Sequence, residues 1–177
     1  MVKTVAPETL KTALDAWESL KNVDGYERVA GSLVMKFLFE KCPKAKPMFG
    51  YDLYAEVDGV MLEDPKFIAH SMKLISMFDA AFAMIGPEGS LLEEKIKELG
   101  TKHVNYGVQA EMFPIMGKAL VAMLNDQLGD AFNDDVRAAW NIVFSAISED
   151  LMITVLKSKG AAKNLNVSQN SSSAVSA

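Results

Sequence analysis

The sequence is poor in the residues that most often carry chemistry. Of 177 residues only two are histidine, one is cysteine and two are tryptophan. The single cysteine, Cys42, excludes an internal disulfide and a C-x-x-C redox or zinc pair. Neither H-E-x-x-H nor G-x-S-x-G occurs, so the short-spaced zinc site and the nucleophile elbow of hydrolases are both absent. There is no excess of basic residues: 18 Lys and Arg against 23 Asp and Glu give a net charge of −5 and a pI near 5.1. That balance argues against nucleic acid or an anionic membrane as the main partner, since both call for clustered cations. No continuous apolar run approaches the roughly 20 residues needed to cross a bilayer. No basic-then-apolar segment opens the chain, and the two N-x-S triplets at Asn166 and Asn170 read as chance. The expectation is a cytoplasmic, reducing setting without membrane attachment. Period-two alternation and fixed-period repeats are also missing, which leaves an all-α fold.

What is present is a large hydrophobic fraction, 50% of residues, with eleven methionines and nine phenylalanines. This suits one domain with a soft, adaptable core, expected over residues 1–160. The remaining stretch, 161–177, is polar and small and is expected to stay disordered. Helical spacing of apolar residues marks a first helix from Pro7 through Leu10, Leu14, Trp17 and Leu20. A second, from about Tyr26 to Lys41, presents Val29, Leu33, Phe37 and their neighbours and stops before Pro43. Pro43 to Phe49 has room only for a short turn, and Gly50 to Glu63 reads as an irregular connection. A later helix, from about Val108 to Gln127, carries Phe113, Met116, Leu120, Met123 and Leu124 and ends at Gly129. The last starts at an Asn133 cap and carries Val136, Trp140, Val143, Phe144, Ile147 and Leu151.

Between these lie two helices that each contain one histidine. Asp64 and Pro65 are a natural cap and first residue for a helix in which Phe67, His70, Leu74, Met77, Phe78 and Ala81 recur at steps of three and four. A break at Gly86, Pro87 and Gly89 follows. Ser90 and Glu93 then form a capping box for a helix in which Leu92, Ile96, Leu99 and His103 share one face. Both imidazoles are therefore expected to point inward. A lone histidine on an apolar face is often only a core residue bonded to a carbonyl; two such histidines in a chain this poor in them point to a shared partner. Zinc would need three or four ligands, and an inward face leaves a nucleophile little access. A haem needs only one axial histidine, with an optional second residue on the opposite face, and C-x-x-C-H, which would attach it covalently, is absent.

At these residues the chain resembles the globins, and within them neuroglobin-like members, over roughly residues 7 to 155. The matching pieces come in the family's order: Trp17, LFEKCPKAKPMF with Pro43 six residues before Phe49, FIAHSMKLISMFDAA, LGTKHVNYGV, and FNDDVRAAW ending at Trp140. The resemblance implies a globin fold, a three-on-three helical sandwich around a b-type haem (iron protoporphyrin IX). It makes His103 the proximal iron ligand and His70 the distal histidine, a possible sixth ligand. Phe49 would wedge against the haem, Leu74 would lie over the iron, and Leu99, Val108 and Phe113 would form the proximal wall. Met35, where the family often has leucine, phenylalanine or tyrosine, would face the gas ligand. Lys73 is the candidate partner of a haem propionate. The implied function is reversible binding of dioxygen, carbon monoxide or nitric oxide, with His70 offering a hydrogen bond to bound oxygen. The alternative is a haem redox enzyme or sensor acting on nitric oxide, nitrite or peroxide with an external reductase, because no flavin or nicotinamide domain fits in this chain. No catalytic residue is assigned. The pattern of one chain does not set oligomeric state or cooperativity.

Overall fold

Prolines, glycines and short polar side chains fix where each helix begins and ends in the computed structural model, which describes the backbone of residues 5–83 and 89–173 and the side chains of 5–83, 94–158 and 160. Pro7 opens α1, Pro7–Leu20. Gly25, at φ 64°, takes the left-handed turn that starts α2, Tyr26–Lys41. Pro43 stops α2 and begins a 3₁₀ turn, Pro43–Phe49. Asp58 accepts the amide N–H groups of Val60 and Met61 at 3.0 and 3.1 Å, capping a short α3, Gly59–Glu63. The stretch expected to be an irregular connection therefore holds a capped turn of helix. Asp64 accepts from the Lys66 amide at 2.9 Å and starts α4, Pro65–Ala83, where the sequence places it. Next come α5, Gly89–Asn105, and α6, Met112–Leu128. The capping box at Ser90 and Glu93 involves side chains outside the described residues. A second 3₁₀ turn, Gly129–Ala131, leads to Asn133, whose side chain accepts from the Val136 amide at 3.0 Å at the head of α7, Asp134–Ser173. The far turns of α7 run through the segment expected to be disordered. Among the described residues there is no strand, and the fold is all-α.

Two helices organise the packing. α2 lies against α4 and α6, and α7 carries α1, α5 and α6. The α2–α4 crossing is close because Gly31 has no side chain: a Cβ there would lie 2.3 Å from the Ser71 carbonyl oxygen. Serving two neighbours rotates the buried sector of α2. Ala30, Gly31, Val34, Met35, Leu38 and Phe39 are buried, whereas Val29 is 37% exposed and Leu33 and Phe37 are only half-buried. The expected line through Val29, Leu33 and Phe37 is thus one residue off.

Among the described residues the buried apolar side chains fall into two unequal clusters. The larger draws on α1, α2, α4, α6 and α7, with Trp17, Phe39, Phe67, Leu120 and Trp140 among its members. The smaller consists of Ile96, Phe113, Leu151 and Val155. Val108 and Ile147 pack against both. By length and the mean hydropathy of an 18-residue window within it, 1.3, the stretch Asp134–Ser158 of α7 could span a membrane. Its Trp140, Val143 and Phe144 lie in the larger cluster and its Leu151 and Val155 in the smaller, so this apolarity is that of a core helix.

Candidate functional site

α5 rests on α7, and Gly100 sets how closely: a Cβ there would lie 2.7 Å from Thr154 Cγ2. One turn further along α5, His103 is half-buried, with its ring 5.4 Å from that of Phe113. Its Nδ1–H donates to the Leu99 carbonyl at 2.7 Å, since a carbonyl can only accept. Nε2 is therefore the unprotonated nitrogen. Burial holds this imidazole below its ordinary pKa, outweighing the Leu99 carbonyl, which favours the charged form. Around it Phe113 is buried and Leu99 and Val108 are half-buried, all in or against the smaller cluster.

His70 departs from expectation. The buried line of α4 runs through Phe67, Ser71, Ile75 and Phe82, while His70 is exposed and Leu74, one turn on, is half-buried. Steps of three and four from Phe67 reach both residue 70 and residue 71. The close approach of Gly31 to Ser71 turns the second line toward α2 and leaves His70, Leu74 and Met77 on the flank. The His70 ring stands at 90° to Phe49, 5.6 Å between centroids, and Phe49 in turn packs edge-on against Phe39 at 5.4 Å. His70 Nδ1–H donates to the Lys66 carbonyl at 2.9 Å, the same bond to the residue four back that His103 makes. Met35 is fully buried in the larger cluster, and Lys73 is exposed.

Each histidine thus spends Nδ1 on its own helix and keeps a lone pair on Nε2. The two helices are held by different neighbours, α4 by α2 and α5 by α7. The wall around His103 is apolar, and among the described residues no group of three His, Cys, Asp or Glu side chains could hold a bare metal ion. One imidazole on each of two helices, with no third His, Cys, Asp or Glu beside them among the described residues, fits a metal that brings its own equatorial ligands, as haem iron does, better than it fits zinc.

The Globin family profile matches residues 32–151, two thirds of the chain, including both histidines. The chain belongs to the globin family. It is a neuroglobin-like, haem-binding globin: it is 31% identical to neuroglobin of Danio rerio over 134 residues, covering 75% of this chain and 81% of that one. It is 32% identical to neuroglobin of Chaenocephalus aceratus over 150 residues, covering 84% and 87%. In three dimensions it is similar to a hexacoordinated heme protein from an anhydrobiotic tardigrade, with a TM-score of 0.74 over 85% of this chain and 95% of that one at 21% identity, a likeness of fold. The globin fold expected from the sequence is the fold observed.

Three polar features around the site go beyond the sequence reading. Lys46, 7% exposed, donates to the Ala55 carbonyl at 2.6 Å and ties the 3₁₀ turn to the segment after it. The Tyr51 hydroxyl donates to Asp64 at 3.0 Å, so the α4 cap is itself held; burial first and this bond second push the Tyr51 phenol up to about 12. At the other end of α4, Asp79 accepts from Trp17 Nε1 at 2.6 Å and from the Tyr26 hydroxyl at 2.8 Å, with Lys21 at 3.5 Å. A tyrosine beside a glycine-rich connection is a weak signal for the second of these. Nothing in the pattern marks Lys46 or Asp79.

Proposed function

We propose that the chain binds a b-type haem through His103 and there takes up dioxygen or another diatomic gas reversibly, with His70 as an internal competitor for the sixth position. The observation that carries this reading is the matched pair of Nδ1–H bonds to backbone carbonyls, which leaves a lone pair on each Nε2. A bound haem supplies a ferrous iron able to hold a gas molecule without net reaction. Every other contribution comes from the chain. The Leu99 carbonyl fixes the His103 tautomer and raises the basicity of Nε2. Leu99, Val108 and Phe113 keep water from that side. Phe49 limits how the His70 ring can turn, and Leu74 gives the neighbouring surface an apolar face. Lys73, exposed three residues after His70, supports pairing with a propionate at the rim.

The tautomer of His70 separates its two possible roles. Donating a hydrogen bond to a gas molecule needs a proton on Nε2, and a neutral ring that bonds Lys66 through Nδ1–H has none there. Donating a lone pair to a metal needs the tautomer that the Lys66 carbonyl favours. Bis-histidyl coordination in the absence of gas is therefore the resting state we infer, and apparent gas affinity is lowered by the fraction of time His70 is detached. The ferrous, gas-free absorption spectrum tests this: it should be low-spin and six-coordinate. His70→Leu should become high-spin and five-coordinate and bind carbon monoxide faster. A wild-type ferrous spectrum that is already five-coordinate refutes the competitor role. His103→Leu should lose its haem during purification, and full haem content with an unchanged carbonyl spectrum would refute the proximal assignment.

A further inference from the structure

Two separate routes lead from one residue, Tyr51, to His70. The first is polar. The Tyr51 hydroxyl donates to Oδ2 of Asp64 at 3.0 Å, and Oδ1 of the same carboxylate accepts the Lys66 amide N–H at 2.9 Å. The Lys66 carbonyl in turn accepts the His70 Nδ1–H at 2.9 Å. The second route runs through aromatic rings set edge to face: Tyr51 on Phe39 at 6.0 Å, Phe39 on Phe49 at 5.4 Å and Phe49 on His70 at 5.6 Å. One route holds the Nδ1 edge of the imidazole and the other packs against the ring. Tyr51 is itself anchored. Its amide N–H donates to the Lys46 carbonyl at 3.1 Å, and the buried Lys46 is tied to the Ala55 carbonyl at 2.6 Å. The Lys66 ammonium lies over the Tyr51 ring, 5.5 Å from its centroid, so the first turn of α4 meets the tyrosine through a side chain as well as through its cap.

We propose that Tyr51 is a positioning residue for His70: through Asp64 and the Lys66 peptide its hydroxyl steadies the first turn of α4, keeps the Nε2 lone pair in one direction, and so slows the detachment that gas binding requires. This rests on the reading of His70 as an internal competitor for the sixth position. A ligating histidine is oriented and made more basic by the acceptor on its other nitrogen, and losing such an outer partner weakens its bond to the metal. Here the acceptor is a backbone carbonyl, which no substitution deletes, so what a side chain can tune is where that carbonyl sits. Without the Tyr51 hydroxyl, Oδ2 of Asp64 turns to water and the head of α4 samples more orientations. His70 then spends a larger fraction of time detached, and apparent gas affinity rises with that fraction.

The experiment is rapid mixing of the ferrous, haem-loaded protein with carbon monoxide. Binding to the wild type waits on His70, and Tyr51→Phe, which deletes the hydroxyl and keeps the ring route, should accelerate it about threefold to tenfold. Asp64→Ala, which removes the acceptor of both the hydroxyl and the Lys66 amide, should accelerate it at least as much. In a His70→Leu background Tyr51→Phe should leave the rate unchanged, because the residue through which Tyr51 acts is gone. Hydrogen exchange reads the same loosening without any gas: in haem-loaded Tyr51→Phe the amides from Lys66 to His70 should exchange faster than in wild type, with those of α6 unaltered. With a six-coordinate wild type, a Tyr51→Phe protein that binds carbon monoxide at the wild-type rate overturns the positioning role alone. So does an acceleration that persists without His70, or unchanged exchange at the head of α4. A wild type already five-coordinate in the ferrous, gas-free state is a different failure, since it removes the competitor and the role of Tyr51 with it.

Discussion

Replacing Gly100 with alanine should loosen the hold on His103 through packing alone. The added Cβ would lie 2.7 Å from Thr154 Cγ2 and 2.8 Å from Thr154 Cβ. Carbon atoms are most comfortable at about 3.5 to 4.0 Å, so α5 and α7 must separate locally by about 1 Å. Rotating Thr154 gives no relief, because its hydroxyl donates to the Asp150 carbonyl at 2.9 Å and its Cβ is fixed to the α7 backbone. Overpacking of this kind costs about 1 to 3 kcal/mol. Helix propensity returns about 0.8 to 1 kcal/mol on going from glycine to alanine. The net is a destabilisation of about 1 kcal/mol, concentrated one turn from His103. If that strain falls on the haem seat, haem should dissociate about fivefold faster. The assay is haem transfer to an excess of an apoprotein acceptor, run beside urea unfolding of the same protein. Gly100→Ala with Thr154→Gly moves the side chain from one helix to the other and should recover most of the loss in haem retention. A single variant with wild-type haem retention, or a double variant no better than the single, would refute the reasoning.

Other consequences follow from the polar contacts. Asp79→Ala removes the acceptor of an indole on a residue only 1% exposed, together with that of Tyr26. It should destabilise the protein by about 2 to 4 kcal/mol, read as a lower urea midpoint at unchanged slope. Burial first and the Asp79 bond second raise Tyr26 to about 12 from 10.0. Its contribution to stability is therefore complete below pH 10 and lost as pH rises through about 12. Phenolate absorbance should show this late titration, and Asp79→Asn should move it partway back, leaving the share due to burial. Lys73→Ala should speed haem loss by no more than about fivefold, since an exposed ion pair is worth about 0 to 1 kcal/mol; a larger effect would mean that Lys73 does more than pair at the rim.

Much of the architecture was legible because its signals are local. Asp64 with Pro65, Pro7, Asn133 and Gly129 each act within one turn of their own position, and each begins or ends a helix as its chemistry dictates. The two histidines stood out through scarcity and spacing. What the sequence did not disclose depends on which neighbour a helix meets. His70 and Ser71 both satisfy an apolar spacing from Phe67, and only the approach of α2 at Gly31 selects Ser71 for burial. The same crossing shifts α2 away from Val29. The three glycines at helix contacts, Gly31, Gly100 and Gly117, look like weaknesses in isolated helices, yet each accommodates a neighbouring atom that a Cβ would meet within 3.0 Å. Lys46 is hidden for another reason: a lysine reads as surface, and its burial depends on a carbonyl nine residues away in a connection of no regular pattern.

The unequal division of the core bears on how this chain lives before and after it acquires its cofactor. Among the described residues the smaller cluster has four buried members, and of α5 only Ile96 is one of them. Local opening follows such anchoring, so the part of α5 from Glu94 onward should open from α7 before the larger cluster gives way. Amide protons of α5 should exchange first, and proteases should find their earliest cuts there. Any group gripped by His103 Nε2 also staples this unit down, and a cofactor present at a hundredfold its dissociation constant adds about 2.7 kcal/mol to the folded state. Cofactor occupancy and the integrity of α5 then become one equilibrium, in which a chain that has not been loaded exposes this helix to degradation.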